Sequence, residues 1–376
     1  MVSITKGWLS GLLLFLGFLE LASGIALDVT NHTSIKSAAS TIAHDAMSYY
    51  TGNKDPTMLG ILPQPYYWWE AGALWGTMIS YWHYTNDSTY VQEVGQAILS
   101  QSGPKTDFLM ANQVFDTGND DQAFWALTAM SAVEYNFPVP SGSNKSGNVY
   151  LELAVNTFNE FVSRWNTTQC NGGLKWQFTP SNNGFDYKSS IANGGFFQLA
   201  ARLARATGNA TYLEWAEKEW DWMTGVGFLN PTTYAVIDGA GDNNGQNCTV
   251  FSTQQWTYNN AIFLYGTAIL ASISNSSNSV WLTRTQGLLT HATTQFFSPY
   301  SNATGVMYES QCEESQSCDN DQFSFKAYLS RWLTGTAVLV PSLRSQIVAL
   351  LTPSAKAAVV ACSGGASGTL CGTKWY

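Results

Sequence analysis

The sequence predicts an all-α chain, an (α/α)6 toroid in which an inner ring of helices sits inside an outer one. Three observations carry this prediction. Helical periodicity dominates once the first residues are passed, and strand-like alternation is hard to find. Two kinds of helix alternate, one apolar on nearly every face and one with a single apolar stripe. The connections alternate too, with long loops leading into the apolar helices and short ones leading out.

Residues 1–26 read as a secretory signal: Lys6, an apolar core from Trp8 to Leu19, and a small-residue cleavage site at Gly24-Ile25-Ala26. An apolar run of about a dozen residues is too short to span a bilayer of ~30 Å. The expected mature chain, 27–376, is one domain with no Pro/Ser linker. Its helices are expected near 34–50, 63–84, 88–101, 119–136, 149–165, 190–207, 211–224, 255–273, 279–297, 319–336 and 341–352. In the fifth, Leu151, Val155, Phe158, Val162 and Trp165 share one face. By contrast "QQWTYNNAIFLYGTAIL" is apolar almost all round, as befits a helix covered on every side. "TNDSTYV" at Thr85 echoes "TGNATYL" at Thr207, and "NDDQAFWAL" echoes "NDQFSFKAYL" at Asn320.

With every inner helix running the same way, their first turns and all the long loops gather at one end. Those turns read "YYWWE", "NDDQ", "ANGG", "WTYNN" and "DNDQ". Aromatic rings stack on the apolar faces of sugars, while amides and carboxylates bond hydroxyls. Trp68, Trp69, Trp176 and Trp256 are therefore candidate sugar platforms. Asn119, Asn193, Tyr258, Asn259 and Asp321 are candidate polar contacts in one shared pocket; for Asp321 the competing reading is a cap beside Gln322. Asn119 is expected as an N-cap, with Gln122 completing a capping box and Asp120 and Asp121 in the first two helical positions.

Composition narrows the ligand. Charged residues make up only 11%, the net charge is −9, and no Lys/Arg cluster occurs, which argues against nucleic acid and anionic membrane partners. Aromatics reach 14%, with 15 Trp, and a neutral polyhydroxylated ligand suits such a surface. Eight N-x-[ST] sequons begin at Asn31, Asn86, Asn144, Asn166, Asn209, Asn247, Asn275 and Asn302. In an oxidising compartment the six cysteines read as disulfides, and proximity favours Cys312–Cys318 and Cys362–Cys371, leaving Cys170–Cys248. No metal or other cofactor is expected. Scattered His and no C-x-x-C leave no ligand set, and "DGAGDNNG" at Asp238 fails the calcium-loop pattern.

"DTGNDDQAFWALTAMSAVEYNFP", "NGGLKWQF", "SSIANGGFFQLAARLARATGN", "QWTYNNAIFLYG", "CDNDQFSFKAYLSRW" and "ACSGG…CGTKWY" together resemble the fungal mannan endo-1,6-alpha-mannosidases of glycoside hydrolase family 76, and most closely their cell-wall, often GPI-anchored subgroup. The resemblance covers nearly the whole mature chain. It implies an (α/α)6 barrel, retaining chemistry on alpha-1,6-linked mannose in wall biogenesis or remodelling, and an adjacent Asp pair, here Asp120 as nucleophile and Asp121 as acid/base. Adjacent residues suit retaining chemistry, whose two carboxyls stand ~5–5.5 Å apart.

The same site could hand its glycosyl group to a sugar instead of water. The protein would then be a transglycosylase moving the mannosyl glycan of a GPI anchor onto wall glucan. A third reading is a non-catalytic mannan-binding wall protein. Six helix hairpins need twelve helices and eleven are expected. The last inner helix is therefore missing, the stretch from Pro353 to Tyr376 reads as the loop before it, and a slot lined by Leu, Phe and Trp is expected. A longer, monomeric functional form with the closing helix, and with a GPI anchor as its only membrane attachment, is expected on this ground.

Overall fold

The computed structural model describes residues 24–113, 117–243, 245–274 and 279–376. The signal segment up to residue 23, Asp116 and the sequon at Asn275 lie outside the described residues. Eleven α-helices are present among them: α1 (His32–Ser48), α2 (Trp68–Thr85), α3 (Val91–Ser100), α4 (Asn119–Glu134), α5 (Val149–Arg164), α6 (Ser190–Thr207), α7 (Ala210–Val226), α8 (Thr257–Ile273), α9 (Val280–Gln295), α10 (Asn320–Leu339) and α11 (Arg344–Val360). No single one is long and apolar enough to cross a membrane.

The even-numbered helices α2 to α10 pack side by side in chain order as the inner ring. Each odd-numbered helix from α3 to α11 lies outside against its predecessor, and α1 lies against α2. Burial separates the two kinds. Ser190 to Ala204 of α6 is buried without interruption, whereas α9 buries only Trp281, Thr285, Leu288, Leu289 and Ala292, one stripe at helical spacing. The paired glycines of "ANGG" belong to this packing. A Cβ on Gly195 would come within 2.5 Å of Ala123 on α4, and one on Gly194 within 2.3 Å of Ile262 on α8. Neighbours on both sides approach α6 too closely for any larger side chain.

Side chains join α10 back to α2. Arg331 donates to Gly76 O at 2.6 Å and Ser80 Oγ at 3.3 Å, and Asn320 donates to Pro65 O and to Glu70 at 3.1 and 3.0 Å. Unlike the other inner neighbours, α10 and α2 do not pack closely along one another, as expected of a ring short of one helix; the expected slot is corrected only in its Leu and Trp lining. No Leu or Trp of α1, α2, α10 or α11 is exposed; the large apolar side chains left in water there include Ile35, Ile42, Phe323, Val338, Val348 and Val360.

Two further expectations change. Pro353 does not end α11; it stands inside that helix, where Ser354 accepts from Met307 N and donates to Gly305 O, both at 3.0 Å, tying the helix to the preceding long loop. Short strands are also present: β1 (Tyr187–Ser189), β2 (Gly239–Gly241) and β3 (Phe251–Ser252) form an antiparallel sheet, and β4 (Cys362–Gly364) pairs with β5 (Leu370–Cys371). Strands of two or three residues are too short to show a period of two. The disulfides are Cys170–Cys248, Cys312–Cys318 and Cys362–Cys371. The first ties the loop before α6 to the loop before α8.

Candidate active site

The first turns of the inner helices and the long loops enclose a cleft of about 480 Å³ at one end of the barrel. Its floor is the start of α4. Gly118, not Asn119, is the N-cap, and Asn119, Asp120 and Asp121 are the first three helical residues. Asp121 reaches back, its Oδ2 accepting from Gly118 N at 2.6 Å. The N-cap prediction for Asn119 is thereby corrected. Its Nδ2 donates to Lys175 O and its Oδ1 accepts from Arg164, both at 2.8 Å, and Gln122 Oε1 accepts from the same Arg164 nitrogen at 2.7 Å. These amides turn away from the cleft and lock α4 to α5 and to the segment before Trp176. Asn119 N also donates to Trp176 O at 2.9 Å, which fixes the Trp176 backbone over the acids.

Asp120 and Asp121 line the cleft beside each other. Asp120 Oδ2 accepts from Trp176 Nε1 at 2.8 Å, while its Oδ1 has no partner among the described residues. Burial lifts the Asp120 carboxyl to about 7, against the pull of the Trp176 N–H. Asp121 is pushed further above the carboxylate range, by burial first and then by the neighbouring Asp120 charge. The helix dipole favours negative charge at this position, and burial outweighs it.

The walls are aromatic and acidic. Trp69 packs at 4.7 Å from the Phe124 ring and donates Nε1 to Asp321 Oδ1 at 3.1 Å. Asp321 is not the cap: Asp319 and Gln322 form the capping box of α10, which leaves Asp321 facing the cleft. Trp68 lines the cleft and stacks on Trp125 at 5.1 Å, its indole N–H held by Gln101. Trp176 lines it with 37% of its surface exposed. Tyr258 stacks on Phe325 at 3.7 Å, and both line the wall.

Besides Asn119, which faces away from the cleft, three predicted contacts lie elsewhere. Asn193 is fully buried, bonding Leu174 N and O and Ser189 O, so it splices the loop before α6 to the helix. Asn259 is fully buried behind Asp238. Trp256 is the N-cap of α8 and packs edge-on to Phe325 outside the lining. The expectation that Asn193 and Asn259 share the pocket is therefore corrected: a buried amide next to irregular backbone is consumed by that backbone.

Sequence reasoning missed Asp238 and Tyr187. The small sheet brings them together, Tyr187 Oη donating to Asp238 Oδ2 at 2.8 Å and Asn259 Nδ2 to Oδ1 at 3.3 Å. Burial raises Asp238, and these donors partly offset it. The available signal was an acid ending the apolar run "YAVID" in a chain poor in charge. Gln64, Tyr67, Gln113, Thr117, Gln177, Ser189 and Ile191 complete the lining, which among the described residues contains four Asp and neither Lys nor Arg.

Comparison with known proteins gives this arrangement its context. Residues 34–376 match glycosyl hydrolase family 76. The chain is 44% identical to "Mannan endo-1,6-alpha-mannosidase DCW1" of Saccharomyces cerevisiae, over 97% of this chain and 79% of that protein. It is 43% identical to the Candida albicans protein of the same name, over 95% and 77%. The crystal structure of Dfg5 from Chaetomium thermophilum in complex with glucosamine superposes with a TM-score of 0.85 at 38% identity, covering 93% of this chain and 84% of that one. An inactive variant of the alpha-1,6-mannanase GH76A of Salegentibacter, solved in complex with alpha-1,6-mannotetrose, shares the fold at a TM-score of 0.70 and 17% identity, covering 90% and 91%. A ring of parallel inner helices, closed over an acidic and aromatic cleft and matched along nearly its whole length, identifies the chain as a member of glycosyl hydrolase family 76.

Proposed function

We propose that the protein is a retaining mannan endo-1,6-alpha-mannosidase of the fungal cell wall, with Asp120 as nucleophile and Asp121 as general acid/base. The single observation that carries this reading is the pair of adjacent carboxyls on the cleft floor with different surroundings. Asp120, lifted only to about 7 and held by the Trp176 N–H, is available as a carboxylate near neutral pH. Asp121, beside that charge, keeps its proton. In the first step Asp121 gives its proton to the glycosidic oxygen as the C1–O bond breaks, and Asp120 forms a bond to C1. In the second, the Asp121 carboxylate takes a proton from water, whose oxygen displaces Asp120 from C1. Trp68, Trp69, Trp176 and Tyr258 supply flat faces for the sugar rings, and Asp321 and Asp238 accept from hydroxyls. The test compares linear 1,6-mannan hydrolysis by the wild type and by Asp120→Asn. A loss on the order of 10⁴-fold or more is expected, and equal product from both would remove Asp120 from the mechanism.

A second reading keeps the intermediate and changes the acceptor. Among the described residues four carboxyls and no cation line the cleft, which suits a donor carrying an amino sugar, such as the mannosyl glycan of a GPI anchor. The similar Chaetomium protein was solved with glucosamine bound. A GPI-glycan donor with labelled wall glucan should then give labelled adduct, and free mannosides alone would count against it. The three disulfides and the exposed sequon residues Asn31, Asn86, Asn144, Asn209, Asn247 and Asn302 support a secreted or wall location for a monomer. A GPI anchor on a longer form would hold it at the membrane.

A further inference from the structure

At the opposite end of the barrel, where the C-terminal halves of the inner helices converge, lies a second cavity of about 190 Å³ that the chemistry above does not use. Arg202 of α6 and Arg331 of α10 both reach it, and both donate to one hydroxyl: their Nη2 atoms lie 2.9 and 3.0 Å from Ser131 Oγ. Two guanidiniums sharing one acceptor are held close together in a setting that screens charge poorly. Only Arg202 has a carboxylate partner, Glu134, which accepts from Nε and Nη2 at 2.9 and 2.8 Å.

Arg331 forms no ion pair among the described residues. Its Nε and Nη2 go to Ser80, Gly76 and Ser131, and its Nη1 finds no acceptor among those residues. Burial and the neighbouring Arg202 pull Arg331 down to about 10, so it stays charged at neutral pH. The hydroxyl of Tyr265 on α8, a residue only 7% exposed, likewise finds no acceptor among the described residues. Both unmatched donors line the cavity. Gly335 makes part of the room, since a Cβ there would fall 2.5 Å from the Tyr265 ring. Tyr84, 47% exposed, marks the opening to solvent.

Two cations against one carboxylate leave a surplus of one positive charge, together with two donors that lack acceptors. Arg331 is only partly buried and neither donor is sealed off from the cavity, so whatever occupies the cavity satisfies them. A volume several times the ~30 Å³ share of one water admits a small ion with part of its hydration. We infer that this cavity is a binding site for a small monovalent anion, a halide being the simplest, held by Arg331 Nη1 and Tyr265 Oη. The inference does not depend on the chemistry proposed for the cleft.

Thermal unfolding in sodium chloride or bromide, against sodium gluconate at matched ionic strength, tests it. Gluconate, a large carboxylate, serves as the reference anion. A ligand of the folded state lowers the unfolded population by 1 + [L]/Kd, about tenfold at ten times Kd, so halide should stabilise by an amount that grows with the logarithm of its concentration above Kd. Tyr265→Phe should weaken that dependence, and Arg331→Gln should abolish it. Should Arg331→Gln fail to fold, Tyr265→Phe, which removes only a hydroxyl, still carries the comparison. A bromide-soaked crystal should show an anomalous peak within hydrogen-bond distance of Arg331 Nη1. Equal melting in halide and gluconate, an unchanged dependence in Tyr265→Phe, or a cavity without bromide would each overturn the assignment.

Discussion

The two ends of the inner ring hold opposite charges and treat them differently. At the end where the helices begin, Asp120, Asp121, Asp238 and Asp321 face one cleft, with no cation in its lining among the described residues. At the other end Arg202 and Arg331 face a smaller cavity, and their donors reach the main-chain oxygens of Leu127 and Gly76 and the hydroxyl of Ser131. The far end distributes its charge over a network, with Glu134 fully engaged by Arg202. The near end leaves Asp120 Oδ1 without a partner among the described residues. A carboxylate saturated with donors is a structural anchor, whereas one left with a free oxygen beside a second acid can attack.

The largest effect that sharpens this contrast belongs to Asp121. Asp121→Asn should lower turnover of unactivated 1,6-mannan by roughly 10²–10⁴-fold. A mannoside whose leaving group needs no proton should lose far less, as initial rates on both substrates would show. An equal loss on both would mean that Asp121 does not act as the acid.

Glu134 gives the matching perturbation at the far end. Glu134→Gln leaves two buried guanidiniums with no carboxylate, and removing one partner of a buried pair costs about 3–5 kcal/mol. Denaturant unfolding should show that loss while turnover per folded molecule on mannan stays at the wild-type level. A fall in turnover with stability unchanged would mean that the two ends are not independent.

Smaller, and specific to the cleft, is Trp176→Phe. It keeps a ring but removes the N–H that favours ionised Asp120, so the Asp120 carboxyl should rise further above about 7. A hydrogen bond to a charged group is worth about 1.5–3 kcal/mol, or about one pKa unit or more. The acid limb of the kcat/KM profile should move to higher pH by that amount, and an unmoved limb would detach Trp176 from the titration.

A last effect is on stability rather than on rate. Because the folded carboxyl of Asp120 lies above its unfolded value, the unfolded chain releases the proton more readily. Wild-type stability therefore falls as pH rises from about 4 to about 7 and then levels. Asp120→Asn should be more stable than wild type at pH 7, by up to about 4 kcal/mol for a carboxyl raised from 3.8 to about 7, and should lose that advantage below pH 4, where both states of the wild type are protonated. Melting curves at the two pH values check the sign.

Most of the scaffold was legible because burial on all sides and burial on one stripe leave different periodicities. The helices of α4, α6 and α8 read as apolar runs, and α5 read as a stripe. The end of α11 was not legible, since Pro353 signals a stop and only the loop contacts of Ser354 show that the helix continues. The acids at Asp120 and Asp121 stood out in a chain poor in charge. Asp238 and Tyr187 did not, because loops distant in sequence assemble them through strands of two or three residues. Asn193 and Asn259 misled for a related reason: an amide at the start of a helix reads the same whether it meets a sugar or a neighbouring loop. Asn119 shows the same ambiguity one residue from the reacting acids.

The most direct test of the central claim is to find the atom that carries the sugar. Asp121→Ala, supplied with a mannosyl fluoride that needs no acid to leave, should accumulate the glycosyl-enzyme, because the base that activates water is gone. Peptide mapping after acid quench should then place one hexose on Asp120. A hexose on another residue, or an unmodified enzyme releasing product of inverted configuration, would contradict the account.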